Sequence, residues 1–157
     1  MGTNKMDFTL FETPLGLMAL EAEGDALVCL RLPGSPIPRL MPHETPLLVQ
    51  GREQLLEYLS GDRKTFDLPM APQGTPFQQK VWRALQDIPW GQTRSYKDIA
   101  LAVNCPRGFQ AVGQANHHNP LPIFIPCHRV VAADGSLGGY GGGAALKRAL
   151  LSIEGIL

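Results

Sequence analysis

Residues 95–118 read SYKDIALAVNCPRGFQAVGQANHH, and this stretch predicts two short helices joined by a turn. Ser95 is suited to cap the first helix, and Asp98 can complete a variant of the capping box. We predict the first helix at 96–103, the turn at 104–108 and the second helix at 109–118. Two short helices across a glycine-containing turn are typical of a helix-turn-helix, although most such patterns in small proteins are ordinary packing.

The second predicted helix is unusual because residues 109–116 contain no charged side chain. A helix that reads the major groove normally carries Arg, Lys or Asn toward the base edges. Here Ala111, Gly113 and Ala115 are small, which allows the backbone to approach another surface closely. That surface is either a neighbouring helix or the wall of a DNA groove, and the pattern alone leaves both open.

The charges of the chain are divided unequally between its halves. The 157 residues include 14 Lys and Arg and 14 Asp and Glu, so the formal net charge is zero. Residues 1–76 carry six basic and ten acidic side chains, whereas residues 77–157 carry eight and four. Net zero argues against binding a polyanion by bulk charge, and a basic half is weak evidence for an anionic partner. The basic residues around the second helix are Lys80, Arg83, Arg94, Lys97 and Arg107.

Composition excludes several classes of protein. The hydrophobic fraction of 44% indicates a folded domain. No apolar run reaches the roughly 20 residues that span a bilayer, and the N-terminus lacks a signal-peptide core. Three cysteines fit a reduced, cytoplasmic protein better than a disulfide scaffold. With no C-x-x-C pair, and with His117 and His118 adjacent, we expect no metal site. We also expect no cofactor, no membrane association and a monomer.

The first half predicts a small sheet followed by a helix, and nothing in it indicates a functional site. Phe8 and Leu10 alternate with polar neighbours, as in a half-buried strand. We predict three strands in a meander at 7–12, 17–22 and 26–32. A proline-rich loop follows at 33–46, and a helix at 47–59. Gly61 closes that helix.

A segment with linker composition separates the two halves. Residues 69–76 read PMAPQGTP, so we predict an N-terminal α/β scaffold domain at 1–72 and a functional domain at 73–157. The second domain begins with a helix at 77–87 and ends with one at 144–154. The expected fold class is α/β (α+β): a small sheet-plus-helix lobe, then a mostly helical lobe with a helix-turn-helix.

Residues 119–131, NPLPIFIPCHRVV, carry the chemistry. Cys127 lies between two apolar runs and is expected to be buried, and a buried cysteine is usually inert packing. His128 favours reactivity, since a nearby proton acceptor or cation raises the thiolate fraction. Adjacent residues of an extended chain point to opposite faces, so a local turn at Pro126 or a bridging water must bring the two together. Spacing alone supports a reactive and an inert Cys127 equally.

The run Pro126-Cys127-His128-Arg129-Val130, preceded by Asn119-Pro120, resembles the active-site signature of the O6-alkylguanine-DNA alkyltransferases. The resemblance covers about 77–155 at the family's spacing. It includes Ser95-Tyr96, Ala111-Val112-Gly113 and the glycine-rich run at 138–143.

This resemblance implies a single-turnover DNA repair protein. Family members bind the minor groove through the helix-turn-helix, rotate the damaged guanine out of the stack and move its O6-alkyl group onto a cysteine. Rotation is required because the O6 carbon cannot meet a buried sulfur within the duplex. The implied partner is double-stranded DNA containing O6-alkylguanine, and the small-residue helix would lie in the minor groove.

The resemblance assigns roles by position. Cys127 would be the acceptor, His128 would take its proton through a water, and Glu154 would orient and charge-stabilise His128. Without the resemblance, Glu154 is interpreted as a solvated acid at a helix end. Asn119 would brace the turn between the recognition helix and the active site. Tyr96 would help to rotate the nucleotide and hydrogen-bond the guanine.

Further residues are expected at the base pocket and the DNA surface: Tyr140 and Val130 in the pocket, and Gln110, Ala111, Gly113, Lys97 and Arg107 against DNA. Gln110 departs from the family's pattern, since an arginine usually fills the space left by the rotated base. Glutamine has no charge and less reach, so we expect weaker duplex binding or slower rotation.

Two alternatives remain. A non-catalytic alkyltransferase-like lesion binder would lack the acceptor cysteine, whereas Cys127 is present. An unrelated cysteine hydrolase would use Cys127 and His128, but such enzymes normally place nucleophile and base far apart in sequence.

Overall fold

The computed structural model describes residues 6–37, 41–138, 140 and 142–157. Gly139 and Gly141 of the glycine-rich run therefore lie outside the described residues. The chain divides into two compact units, Met1–Gln73 and Gly74–Leu157. Of the helices that the structure describes, none is long and apolar enough to cross a membrane.

The first unit contains the predicted antiparallel meander. Its strands are β1 (Met6–Thr13), β2 (Gly16–Glu23) and β3 (Ala26–Arg31), paired in the order β1-β2-β3. One expectation is wrong: Leu10 is 37% exposed, whereas Phe8 and its neighbours Thr9 and Phe11 are buried. The burial of the Thr9 hydroxyl is compensated by a hydrogen bond that it donates to Glu44 at 2.6 Å.

The helix of this unit is α1 (Pro46–Leu59), which begins one residue earlier than predicted. Thr45 caps it by accepting from the backbone N–H of Leu48. Pro46 is tolerated at the first helical position because no intrahelical N–H bond is needed there. The side chains of Leu48, Leu55 and Leu59, together with Tyr58, are buried on one face, and that face contacts all three strands.

The second unit combines four helices with one short strand pair. The helices begin and end within one residue of the predicted bounds: α2 (Pro76–Gln86), α3 (Tyr96–Ala102), α4 (Phe109–His117) and α5 (Ala144–Ile153). Ser95 and Asp98 form the predicted capping box at α3. The strands β4 (Arg94–Ser95) and β5 (Val130–Val131) pair in parallel and were not predicted. The mixed content confirms the α+β class.

Helices α3 and α4 form the predicted helix-turn-helix pair, joined by residues 103–108. Gly108 lets this turn close, because a Cβ there would lie 2.4 Å from the Cys105 sulfur. On the inner side of α4, the Trp82 indole N–H donates to the Ala115 carbonyl at 2.8 Å. Helix α4 is therefore anchored to α2, while Gln110, Ala111 and Gln114 remain exposed.

Candidate active site

Cys127 lies in a single turn of 3-10 helix, Cys127–Arg129, that directly follows Pro126. This is the local turn at Pro126, one of the two arrangements that the sequence leaves open. The Cys127 side chain is buried, with 4% of the residue exposed, and His128 has no exposed surface. Both residues thus lie in one tight turn in the interior of the second unit.

The loop from α4 to Cys127 is held by Asn119. Its amide Nδ2 donates to the Ile125 carbonyl at 2.8 Å, and its Oδ1 accepts from the Leu121 N–H at 2.9 Å. Between these partners, Ile123 has a φ of 75°, which is rare for a β-branched residue. Such strain costs about 1–3 kcal/mol and persists only where surrounding contacts fix the backbone. The buried Asn119 amide supplies those contacts.

The β4–β5 pair brings the start of α3 to the cysteine turn. Arg94 pairs with Val130 and Ser95 with Val131, so Tyr96 begins α3 close to Cys127. Partial burial raises the pKa of the Tyr96 hydroxyl, and the neighbouring Cys127 raises it further. Gly138 adjoins the same ring, since a Cβ there would lie 2.9 Å from the Tyr96 hydroxyl oxygen.

Glu154 is buried beside His128. Its Oε2 lies 2.7 Å from His128 Nε2, and only 2% of the residue is exposed. Glu154 is the residue after α5 rather than its last residue, and the Gly91 N–H donates to its Oε1 at 3.0 Å. The interpretation as a solvated helix-end acid is therefore wrong.

Arg129 completes this network and was not predicted. Its guanidinium donates to both carboxylate oxygens of Glu154 at 2.8–3.1 Å, and its Nη1 donates to the Ile88 carbonyl at 2.7 Å. Such bidentate pairs fix orientation as well as charge. The loop after α2, the cysteine turn and the end of α5 are thereby joined.

The network sets the protonation of His128. Burial alone would raise the pKa of the Glu154 carboxyl, but hydrogen bonds from His128 and Arg129 outweigh it and lower that pKa to about 2. Burial lowers the pKa of His128, with Glu154 acting in the opposite direction. A neutral imidazole facing a carboxylate donates its Nε2 proton, which leaves Nδ1 as the basic nitrogen.

Opposing effects act on the pKa of the Cys127 thiol. Burial raises the pKa of its thiol, while hydrogen bonds from Asn119 and Tyr140 and the charge of Lys147 act to lower it. Lys147 is fully buried, and its Nζ donates to the Val130 carbonyl at 2.6 Å. Burial lowers the pKa of Lys147 to about 8. A buried ammonium near a thiol favours the thiolate form.

A cavity of about 430 Å³ opens on the exposed face of α4. Its lining residues belong to α4, to the start of α3 and to the glycine-rich segment: Phe109, Gln110, Gly113, Asn116, His117, Tyr96 and Tyr140. The cavity adjoins the cysteine turn, since Asn116 Nδ2 donates to the Cys127 carbonyl at 3.4 Å. Its size suits a small planar ligand.

The predicted site residues fall into three groups. Cys127, His128, Glu154, Asn119 and Tyr96 surround the cysteine turn, whereas Tyr140, Gln110 and Gly113 line the cavity. Lys97, Arg107 and Ala111 are exposed on or next to α3 and α4. Val130 is fully buried and is not among the residues that line the cavity. Among the described residues, no group of three His, Cys, Asp or Glu side chains is placed to hold a metal ion.

Sequence reasoning missed Arg129, Lys147 and Asn116, three buried polar residues of the site. A helical pattern was available for Lys147, because Lys147, Leu150, Leu151 and Glu154 follow one stripe of α5. All four are buried. A charged residue at each end of an apolar helical stripe, Lys147 at the start and Glu154 directly after the helix, was the signal that these charges are buried. Two of the eight basic residues of the second half are thus internal rather than on the surface.

Comparisons with known proteins agree on one family. The family model described as 6-O-methylguanine DNA methyltransferase, DNA binding domain, matches residues 76–156. A Bacillus subtilis (strain 168) protein named methylated-DNA–protein-cysteine methyltransferase, constitutive, is 47% identical over 157 residues, or 95% of each chain. A Mycobacterium bovis protein named methylated-DNA–protein-cysteine methyltransferase is 42% identical over 150 residues, 94% of this chain and 91% of that one. The crystal structure of Mycobacterium tuberculosis OGT in complex with DNA superimposes with a TM-score of 0.87 at 40% identity, covering 94% of this chain and 92% of that chain.

Proposed function

The chain belongs to the 6-O-methylguanine DNA methyltransferase family, and we propose that Cys127 is the residue onto which it transfers the alkyl group. It is a methylated-DNA–protein-cysteine methyltransferase that repairs O6-alkylguanine in DNA by direct transfer. One observation supports the assignment of Cys127 most strongly. The buried thiol is directly followed in the chain by the buried His128, whose Nε2 lies 2.7 Å from the Glu154 carboxylate.

The first step is removal of the thiol proton. Because Glu154 accepts a hydrogen bond from the Nε2–H group of His128, Nδ1 is the basic nitrogen of the ring and takes the proton of Cys127 through a water. Glu154 and Arg129 fix the ring and its tautomer, as the buried third member of a catalytic triad does. The ammonium of Lys147 and the hydrogen-bonding groups of Asn119 and Tyr140 stabilise the thiolate that forms.

The second step is alkyl transfer. The thiolate sulfur attacks the alkyl carbon, a carbon–sulfur bond forms, and the bond between that carbon and O6 breaks. The electron pair of the broken bond passes to the guanine, which takes up a proton and remains in the DNA. Tyr96 hydrogen-bonds the base during this step. The thioether is stable, so each molecule reacts once and the thiol is not regenerated.

The cavity indicates how the base reaches the sulfur. The exposed face of α4, with its uncharged and small side chains, enters the minor groove, and Lys97 and Arg107 contact phosphates beside it. The damaged nucleotide leaves the stack and enters the cavity between Tyr96 and Tyr140, and Gln110 fills part of the gap. Gly113 fits this arrangement. Packing within the protein does not require glycine there, because a Cβ would lie 4.0 Å from Tyr96, so the absence of a side chain leaves space for the DNA.

We place the reaction in the cytoplasm. The structure contains Cys29, Cys105 and Cys127 as free thiols, and a reaction that consumes a reduced thiol suits a reducing compartment.

Incubation with O6-benzylguanine tests the assignment and separates it from the alternatives. Transfer to Cys127 gives one benzyl group per protein molecule by mass spectrometry, abolished in Cys127→Ala and retained in the matched variant Cys105→Ala. Turnover without a stable adduct would indicate a hydrolase. Binding of alkylated DNA without any adduct would indicate a lesion binder.

A further inference from the structure

Phe109, the first residue of α4, is an exposed aromatic residue. It is 48% exposed, and among the large apolar side chains that are exposed in the described part of the chain it is the one aromatic. Single exposed aliphatic side chains are common in folded proteins. A ring differs from these because its flat apolar face can stack on another flat group. The place of this ring on the helix therefore decides what it can contact.

The ring of Phe109 continues a buried stripe of α4 into the solvent. Positions 109, 112 and 116 follow one side of the helix, and Val112 and Asn116 are buried whereas Phe109 is not. Phe109 lines the cavity and also reaches solvent. The turn before it is closed by the Gly108 N–H, which donates to the Cys105 carbonyl at 2.8 Å. The ring is thus presented to solvent from a fixed backbone.

The residues around Phe109 belong to the surface that we place against DNA. Gln110 and Ala111 follow it on α4, Arg107 precedes it in the turn, and all three are exposed. Arg107 can contact a phosphate, but the ring of Phe109 gains little from the charged backbone of a duplex. The large flat apolar surfaces of a duplex are the faces of its bases. Proteins that bind the minor groove reach these faces by inserting apolar side chains between base steps.

We propose that Phe109 is the wedge that enters the base stack from the minor groove as the damaged nucleotide leaves it. This inference rests on the proposed function. Rotation uncovers one face of each flanking base, and the ring of Phe109 stacks on a face that would otherwise meet water. Gln110 points about 100° further around the helix. Its amide can hydrogen-bond the unpaired partner base but cannot cover the face of a base.

The wedge matters only where a stack has to be opened. Stacking of a base on an aromatic side chain is worth about 10- to 100-fold in affinity, so the loss of the ring should slow transfer from duplex DNA by about that factor. Free O6-benzylguanine has no stack to leave, and its reaction does not draw on the wedge. The ratio of the duplex rate to the free-base rate is therefore the quantity that reports on Phe109.

The test measures single-turnover rates with a duplex that contains O6-methylguanine and with free O6-benzylguanine. Phe109→Ala and Phe109→Gln remove the ring, and each should lower the duplex-to-free ratio about 10-fold or more. Phe109→Tyr retains a ring and should keep the ratio within about threefold of the wild-type value. Leu101→Ala is the matched control and should keep the wild-type ratio, because Leu101 is an exposed apolar residue of α3 that does not line the cavity.

The ratio separates a wedge from a wall of the cavity. If Phe109 only lines the cavity around the rotated base, Phe109→Ala slows both substrates equally, and an unchanged ratio would overturn the proposal. An equal fall of the ratio in Phe109→Tyr would also overturn it, because the ring would then not be the group that acts. If Phe109→Ala does not fold, the comparison of Phe109→Gln with Phe109→Tyr decides in the same way. Failure of the wild type to accept an alkyl group from either substrate would instead contradict the proposed function.

Discussion

His128 Nε2 lies 2.7 Å from Glu154 Oε2, although the two residues are separated by 26 positions in the chain. The cysteine turn carries the histidine, and the end of α5 carries the carboxylate. Arg129 and the backbone N–H of Gly91 hold that carboxylate in place. This geometry favours one tautomer of His128, in which Nε2 donates and Nδ1 can accept, and so suits it to the proposed role of base for Cys127.

Glu154→Gln should slow alkyl transfer by a factor on the order of 10²–10⁴. The amide can present its N–H₂ group to Nε2 and stabilise the tautomer in which Nδ1 carries the proton, so the histidine no longer accepts a proton from Cys127. The measurement is the single-turnover rate on alkylated duplex as a function of pH. Because Glu154 acts through His128, the variant should recover rate as the pH rises and the thiol ionises without a base.

The matched control for Glu154→Gln is Asp134→Asn, an exposed carboxylate of the same unit, which should retain the wild-type rate. A Glu154→Gln protein that is slowed by the same factor at every pH would show that the carboxylate has only a structural role.

Acid should destabilise the wild-type fold through the same buried pair. The pKa of Glu154 is lowered from 4.5 to about 2 by its hydrogen bonds, so its contribution is complete above pH 4.5 and is lost as the pH falls toward 2. Burial lowers the pKa of His128 from 6.5, so the unfolded chain binds the proton first, and stability also falls below that pH. Urea denaturation at neutral and acidic pH measures both effects, and a free energy of unfolding that stays constant between pH 7 and pH 3 would contradict them.

Lys147→Met should slow alkyl transfer at neutral pH, because the buried ammonium no longer lowers the pKa of Cys127. Burial lowers the pKa of Lys147 itself to about 8, so the wild type also loses this charge at higher pH. The difference between the two proteins should therefore narrow above pH 8. Rates with O6-benzylguanine across this range provide the measurement. Arg148→Met, an exposed neighbour on α5, is the control, and a constant ratio of wild-type to Lys147→Met rates would exclude an electrostatic role.

Much of the second unit could be predicted because its signals are local. The capping box of Ser95 and Asp98 and the turn at Pro126 each involve residues close in sequence, and the structure contains both. The partners of the buried charges come from distant segments: Arg129 meets Ile88 and Glu154, and no sequence spacing encodes those contacts. The β4–β5 pair has two residues in each strand, too short for an alternating pattern. Leu10 is 37% exposed although the alternation predicts it in the core, whereas Thr9 is buried and hydrogen-bonded to Glu44, a partner 35 residues away that the alternation cannot reveal.

Gln110→Arg should accelerate transfer from alkylated duplex DNA, because arginine adds charge and reach at the position that fills the gap left by the rotated base. The rate with free O6-benzylguanine should not change, since that substrate needs no rotation. Gln86→Arg adds the same charge to an exposed position of α2 and controls for bulk attraction to DNA. If duplex repair by Gln110→Arg is no faster than that of the wild type, our account of this position is wrong.

The identity of the alkyl acceptor is tested most directly by mapping the methyl group after reaction with duplex DNA that contains isotopically labelled O6-methylguanine. The protein is digested, and the peptides containing Cys29, Cys105 and Cys127 are compared by mass spectrometry. The structure predicts one labelled methyl group per protein molecule, on Cys127 alone, and none in Cys127→Ala. A label on another residue, or continued release of methyl groups beyond one per molecule, would contradict transfer to the thiol that His128 and Glu154 activate.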